Sequence, residues 1–341
     1  MDQTAWSEPR GRKVARRLKT IPPILIGLVV VTALLPLLLI GALVVDIVRA
    51  VTQRKRWMAL RLVAFLWIYL ACDSVSLVAL AAMWLLAGFG KRKERLSNWT
   101  WHFQQAWVKT LLGAVKLLFG LRIVDEGAAC LTPGPMIVMI RHASIVDNLL
   151  PSALVAARER VRLRYVLKRE LLSEPCLDIG GQRLPNYFVR RDTGEQVERQ
   201  RISELAGGMG SDEGFLLYPE GTRFTAQRRA RALEKIAERD PQRAARLEPI
   251  EYLLPPKVGG LLAVLEAAPE ADVVVMMHQG FDGLRLISDI WDGALVGRTI
   301  NVRFTRVPHQ KIPATRDAQV EWLDQLWLDG DRWVASKTDQ P

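Results

Sequence analysis

Apolar positions cluster in two ways along this chain. In the first ninety residues they form long unbroken runs. From residue 121 onward they form short runs separated by polar turns. Ile21 to Val45 carries no charge, and as a helix it reaches about 37 Å at 1.5 Å per residue, enough to cross a bilayer. Leu62 to Gly90 is a second apolar run, broken only by Asp73. Pro36 predicts a kink in the first. A basic start before an apolar run also suits a signal peptide, but this run is too long and no Ala-x-Ala-like site closes it. Trp99, Phe103, Trp107 and Leu111 recur every fourth position and predict an amphipathic helix, packed on a core or lying at a lipid surface.

Beyond it, strands are predicted at Leu121–Val124, Met136–Ile140, Leu163–Leu167, Phe215–Tyr218, Asp272–Met277 and Thr299–Thr305. Helices are predicted at Asn148–Arg158, Gly194–Leu205, Gly259–Ala268 and Asp317–Ser336, with a solvated helical insertion over Thr225–Ala245. This alternation predicts an α/β fold with a mixed, largely parallel sheet flanked by helices, preceded by a two-helix membrane hairpin. The expected domains are a basic cytoplasmic tail (1–20), two membrane helices (21–90), an amphipathic connecting helix (91–120), and an α/β domain with a C-terminal helix (121–341).

Charge adds a constraint. The 341 residues carry a formal net charge of +11. Basic clusters occur in the tail, in the link between the apolar runs and just after the second run. No segment carries a nucleic-acid motif, so the balance points to an anionic membrane surface. Two full spans would put basic clusters on both sides of the membrane, against the positive-inside rule; a shallow re-entrant hairpin would keep all of them on one side. Both arrangements remain open from the sequence. Cys72, Cys130 and Cys176 are scattered and match neither a zinc spacing nor a disulfide framework, as in a reducing compartment. His102, His142, His278 and His309 lack ligand spacing, and no metal is expected. The excess of Arg over Lys suggests a bacterial source.

Chemistry concentrates at two strand ends. Met136–Ile140 runs into Arg141-His142-Ala143-Ser144-Ile145-Val146-Asp147. His142 and Asp147 meet if the His lies in the loop and the Asp in the first helical turn. The carboxylate then takes one ring N–H and leaves the other nitrogen as a base. Ser144 reads as a loop cap rather than a nucleophile. Phe215–Tyr218 runs into Pro219-Glu220-Gly221-Thr222-Arg223, which offers a flexible backbone, a hydroxyl and a guanidinium suited to a phosphate.

His-x4-Asp followed by Glu-Gly-Thr-Arg resembles the glycerolipid and lysophospholipid acyltransferase family. Tyr187-Phe188-Val189-Arg190-Arg191 is similar to the family's block between those motifs. Leu253-Leu254-Pro255-Pro256-Lys257-Val258-Gly259-Gly260 is similar to the block after them, in the lysocardiolipin-acyltransferase-like version. The resemblance covers roughly Val124 to Val307. It implies a membrane-bound acyltransferase that moves a fatty acyl chain from acyl-CoA or acyl-carrier protein to the hydroxyl of a lysophospholipid, of the lysophosphatidate or lyso-phosphatidylglycerol/cardiolipin type. It implies no cofactor beyond that donor, a bacterial inner-membrane location and a cytoplasmic catalytic domain. His142 would be the base and Asp147 its partner. Glu220, Gly221, Thr222 and Arg223 would hold the acceptor's glycerol and phosphate, with Arg190 or Arg191 as a second cation. Lys257 would lie near the thioester or phosphate. The family commonly has Asn before the His; here Arg141 stands there and would steer an anionic acceptor or signal a different headgroup. Alternative readings are acylation of another lipid, such as a lyso-ornithine lipid, and a non-catalytic membrane scaffold.

Overall fold

The computed structural model of the chain describes residues 8–144, 146–147, 149–189, 195–284 and 287–338. Among these, the strands are β1 (Arg122–Glu126), β2 (Met136–Ile140), β3 (Arg162–Lys168), β4 (Tyr187–Val189), β5 (Glu213–Leu217), β6 (Asp272–Gln279) and β7 (Thr299–Val307). The α-helices are α1 (Arg10–Gln53), α2 (Ala59–Leu86), α3 (Lys93–Phe119), α4 (Pro175–Gly180), α5 (Glu195–Ala206), α6 (Ala226–Ala237), α7 (Pro241–Leu247), α8 (Val258–Ala267), α9 (Ile287–Trp291) and α10 (Arg316–Thr338). The chain forms two compact units. The first takes Met1–Leu121, Val166–Asp192 and Ile287–Gly297, and the second takes the rest. Residues 166–192 and 287–297, which the sequence groups with the α/β domain, therefore cluster with the N-terminal helices.

In the first unit, α1 is longer than the apolar run at both ends and continues through Pro22, Pro23 and Pro36. Polar contacts hold those extra turns. Arg16 and Arg17 grip the buried Asp178 of α4, and the Arg49 guanidinium donates to the Trp291 carbonyl at 2.8 Å while stacking on its ring. Asp46, just past the apolar run, accepts the N–H groups of Met58, Ala59 and Leu60 at 2.8–3.0 Å. It thereby caps α2, whose own N-cap residue offers no side-chain acceptor. Asp73 does not face lipid. It is fully buried and accepts from Trp107 Nε1 of α3 at 3.2 Å. On α3 the packed face is rotated from expectation. Leu96, Trp101, Val108, Leu111 and Val115 are buried, whereas Trp99 and Phe103 are half-buried. The last three residues of β3 pair in parallel with β4, a strand too short for a periodic signal to reveal.

The seven-stranded sheet has the order β1-β7-β6-β2-β5-β3-β4 and is mixed but largely parallel, with β6–β7 the antiparallel pair. In the second unit β2 is buried at every residue, as a central parallel strand must be. Its neighbours are β6 and β5, so the loops at the carboxyl ends of these three strands lie side by side. After β2 the chain turns helical, with a π-helical segment over Pro151–Ala157. The expected insertion at Thr225–Ala245 divides into α6 and α7. Asp240 caps the new start by accepting from Arg243 N, and Pro241 takes the first position, where no N–H is needed. It also has a structural task, because Arg243 and Arg246 grip the buried Asp324 of α10.

The same helix α10 carries Asp331, whose carboxylate accepts the N–H groups of Glu251, Tyr252 and Leu253 at 2.7–3.0 Å. This fixes the segment leading into Pro255-Pro256-Lys257. Asp331→Ala leaves those donors without their acceptor. The expected loss is about 3 kcal/mol of unfolding free energy, at roughly 1 kcal/mol or more per orphaned donor. Denaturant unfolding of the detergent-solubilised variant measures it.

Candidate functional site

The end of β2 delivers His142 as its second following residue, on a loop that turns at once into the helix. Asp147 bends back over that loop. Its Oδ2 accepts the N–H groups of Ala143 and Ser144, each at 2.8 Å, and lies 3.2 Å from His142 Nδ1. A carboxylate can only accept, so Nδ1 carries the hydrogen and Nε2 keeps its lone pair. The Asp147 side chain is fully buried, whereas His142 keeps 16% of its side-chain surface exposed. The pair therefore combines a fixed, desolvated acceptor with a reachable imidazole. Ser144 is no nucleophile. Its buried hydroxyl donates to the Leu284 carbonyl at 3.0 Å and accepts Val146 N at 3.2 Å.

The Glu-Gly-Thr-Arg turn clasps His142 along its backbone. Glu220 Oε1 accepts His142 N at 2.8 Å, and Phe224 N donates to the His142 carbonyl at 2.9 Å. Glu220 Oε2 accepts Leu254 N at 3.0 Å. With both oxygens occupied and 1% of its surface exposed, Glu220 positions the histidine rather than touching an acceptor. Burial pushes its carboxyl up to about 8, against the two backbone donors and the charge of Arg141. The Tyr218 ring stands 4.8 Å from that of His142, and burial, followed by the charge of Asp147, raises its hydroxyl pKa well above the usual value.

Gly221 has φ +67°, and a Cβ there would sit 2.9 Å from Lys257 Nζ. The positive φ favours glycine there, and the flexible end of the lysine lies over it. Lys257 N also donates to the Pro219 carbonyl at 2.8 Å. The structure therefore gathers His142, Asp147, Glu220, Gly221 and Lys257, with Thr222 and Arg223 half-buried in the same turn. Arg190 and Arg191 lie outside the described residues.

Sequence reasoning missed the layer beneath the dyad. Arg141 does not steer an anion from solution. It is fully buried, its guanidinium paired with Asp282 and donating to the carbonyls of His278 and Tyr252 at 2.7 and 3.0 Å. Burial opposes the charge of Asp282, but Arg141 outweighs it and holds that carboxyl below its usual value. His278, at the end of β6, is fully buried, and burial lowers its pKa. Its neutral ring sets Nε2 3.1 Å from the Arg141 carbonyl and 3.8 Å from Asp147 Oδ2. Only the strand order brings these residues together, so no local pattern could have marked them.

In the first unit, donor atoms of Asp73, Glu174 and Cys176 lie within 4.8 Å of one another. Glu174 spends both oxygens capping α4, and Cys176 Sγ lies 3.4 Å from the Asp73 carbonyl. Burial and the nearby Asp73 push the Glu174 carboxyl up to about 7. The arrangement is an internal cluster joined by these hydrogen bonds.

Two comparisons bear on identity. Residues 122–278 match the model of the family described as Acyltransferase. Among solved structures, the chain resembles the 1-acyl-sn-glycerophosphate acyltransferase PlsC from Thermotoga maritima. The TM-score is 0.52 and the identity 15%, covering 82% of this chain and 99% of that one. At this identity the likeness concerns the fold. No curated protein sequence matches.

Glu220→Gln separates positioning from substrate binding. The amide would set a donor against one of the two backbone N–H groups, so it should cost about 1–3 kcal/mol of stability and lower kcat. The acceptor KM should stay near wild type; a rise in KM with unchanged kcat would instead indicate substrate contact. The pH dependence follows from the raised folded pKa. The stability tied to the protonated carboxyl is fully present below the unfolded value of 4.5 and is lost as pH rises through about 8. The difference in unfolding free energy between wild type and Glu220→Gln should therefore shift against the wild type across that window.

Proposed function

We propose that the chain, whose residues 122–278 match the Acyltransferase family model, transfers a fatty acyl group from an acyl thioester to the free hydroxyl of a lysophospholipid at a membrane surface. The observation that carries this reading is the His142–Asp147 pair, with Nδ1 held by a buried carboxylate and Nε2 left as a base. In the reaction, His142 Nε2 takes the acceptor hydroxyl's proton as the oxygen attacks the thioester carbonyl. A C–O bond forms, the C–S bond breaks, and the proton passes from the imidazolium to the departing thiolate. Asp147 holds the tautomer and stabilises the imidazolium. Arg223, Thr222 and Lys257 serve the acceptor's phosphate and glycerol, and Arg190 or Arg191 adds a second cation. Acyl-CoA or acyl-carrier protein is the donor, with no resident cofactor or metal.

The structural match to an enzyme acting on 1-acyl-sn-glycerophosphate supports a phosphate-bearing acceptor of the lysophosphatidate or lyso-phosphatidylglycerol/cardiolipin type. The charged groups at the site fit that class better than a zwitterionic ornithine lipid.

Among the described residues, two helices are long and apolar enough to cross a membrane. We read them as a hairpin in one leaflet rather than two spans. Arg16 and Arg17, near the start of α1, bind α4, while Arg49 binds Trp291 after a rise of about 50 Å along the helix. A bilayer core is about 30 Å thick. If α1 crossed it, two parts of one compact unit would lie on opposite sides. A helix along the surface avoids this, and its exposed apolar row, from Val14 past Val29, Leu37 and Val44 to Val51, faces lipid throughout. We assign the catalytic domain to the cytoplasmic side of a bacterial inner membrane.

Three outcomes follow. Purified protein given labelled acyl thioester should release thiol only when a lysophospholipid is present; release without acceptor would indicate a hydrolase. His142→Ala should lose at least about 10²-fold in turnover, the contribution expected of a general base, and a variant within threefold of wild type would remove that role. A cysteine placed at Thr52 or Gln53 in intact cells should resist impermeant thiol reagents added from outside, whereas labelling would establish full spans.

A further inference from the structure

One feature of the first unit has no part in the chemistry above. A cavity of about 760 Å³ opens between the first turns of α1 and the segment that follows β3. Arg12, Arg16 and Lys19 line it from one helix face, at spacings of four and three residues, and Arg169 lines it from the other side. Two acids, Glu8 and Glu170, share the wall, and Leu172 lines its apolar part. Arg16 is already engaged by Glu8 and Asp178. Arg12 and Lys19 are exposed and make no ion pair among the described residues. The cavity is therefore net cationic, with two exposed charges in its lining.

Its place in the chain says what would enter it. Thr20 lines the cavity, and Ile21 begins the uncharged run. Leu18 and Ile26 flank it with 70% and 60% of their surface exposed. If α1 lies along one leaflet, the cavity's cations sit at the level of the lipid phosphates. We propose that the cavity binds the phosphate headgroup of an anionic phospholipid. Arg12 and Lys19 contact the charge, and the acyl chains descend past the exposed apolar side chains of Leu18 and Ile26. The assignment rests on the membrane placement proposed above but not on acyl transfer, so loss of catalysis in His142→Ala leaves it intact.

The test uses the full chain in nonionic detergent, titrated with phosphatidylglycerol, phosphatidylcholine or inorganic phosphate, and counts retained ligand by native mass spectrometry. One phosphatidylglycerol per chain is expected, preferred over phosphatidylcholine by roughly 25-fold, since each of the two cations beside an anionic lipid is worth about fivefold. The double variant Arg12→Ala/Lys19→Ala should bring that preference to within twofold. Arg12→Lys/Lys19→Arg, which keeps the charges, should restore it. Arg10→Ala/Arg92→Ala removes two exposed charges outside the cavity and should leave the preference unchanged. The proposal fails if the cavity variant keeps the full preference. It fails if the outside pair abolishes the preference equally, which would indicate diffuse charge. It also fails if inorganic phosphate binds as tightly as phosphatidylglycerol, which would assign the cavity to free phosphate. Thermal melting of each variant confirms that the fold is intact.

Discussion

One buried carboxyl group holds the reactive centre together. Glu220 reaches from the end of β5 to the backbone N–H of His142 with one oxygen and to that of Leu254 with the other. The first contact sets the height of the imidazole loop, and the second ties it to the segment that carries Lys257. That segment is held in turn by Asp331 of α10, nearly eighty residues further along. A buried acceptor with two backbone donors resists displacement, because a lost partner leaves a desolvated N–H with nothing to bind. Rigidity at a base matters for rate, since a proton acceptor misplaced by an ångström loses much of its advantage.

The sheet explains why such distant residues converge. Parallel strands end on the same side, and β6, β2 and β5 are neighbours. Their carboxyl ends deliver His278, His142 and Glu220 to one place. Beneath them, Arg141 and Asp282 join the ends of β2 and β6 by a buried ion pair with carbonyl acceptors on both flanks. A buried guanidinium is costly unless its charge is matched. Here the match to Asp282, with the two carbonyl contacts, ties together the loops that follow β2 and β6.

The N-terminal helices obey a different constraint. Their apolar surface exceeds what the first unit covers: much of α1 is exposed from Val14 to Val51, and so are Leu66, Val75, Val78 and Leu86 of α2. Three polar side chains among these helices find partners within the unit: Asp46 in three backbone donors, Asp73 in an indole, Arg49 in a carbonyl and a ring. Lipid can therefore meet an almost purely apolar face, while charge is concentrated near the ends of the same helix.

Much of this was legible without coordinates. The positions of β2, β5 and β6 followed from short apolar runs, because burial on both faces leaves no alternation to hide them. The His142–Asp147 pair and the Glu220–Arg223 turn were legible because six-residue and four-residue motifs are local, and backbone geometry alone places their members within reach. What Glu220 does was not legible, since a glutamate beside Gly-Thr-Arg has the same sequence whether it faces a ligand or two amide groups. Arg141 shows the same limit. Its partner Asp282 is 141 residues away, and no spacing rule links them until the strand order is known. Nor could hydropathy alone decide between a helix that crosses a bilayer and one that lies along it. Length and composition are identical in both cases; the docking of both ends of α1 within one compact unit is a tertiary fact.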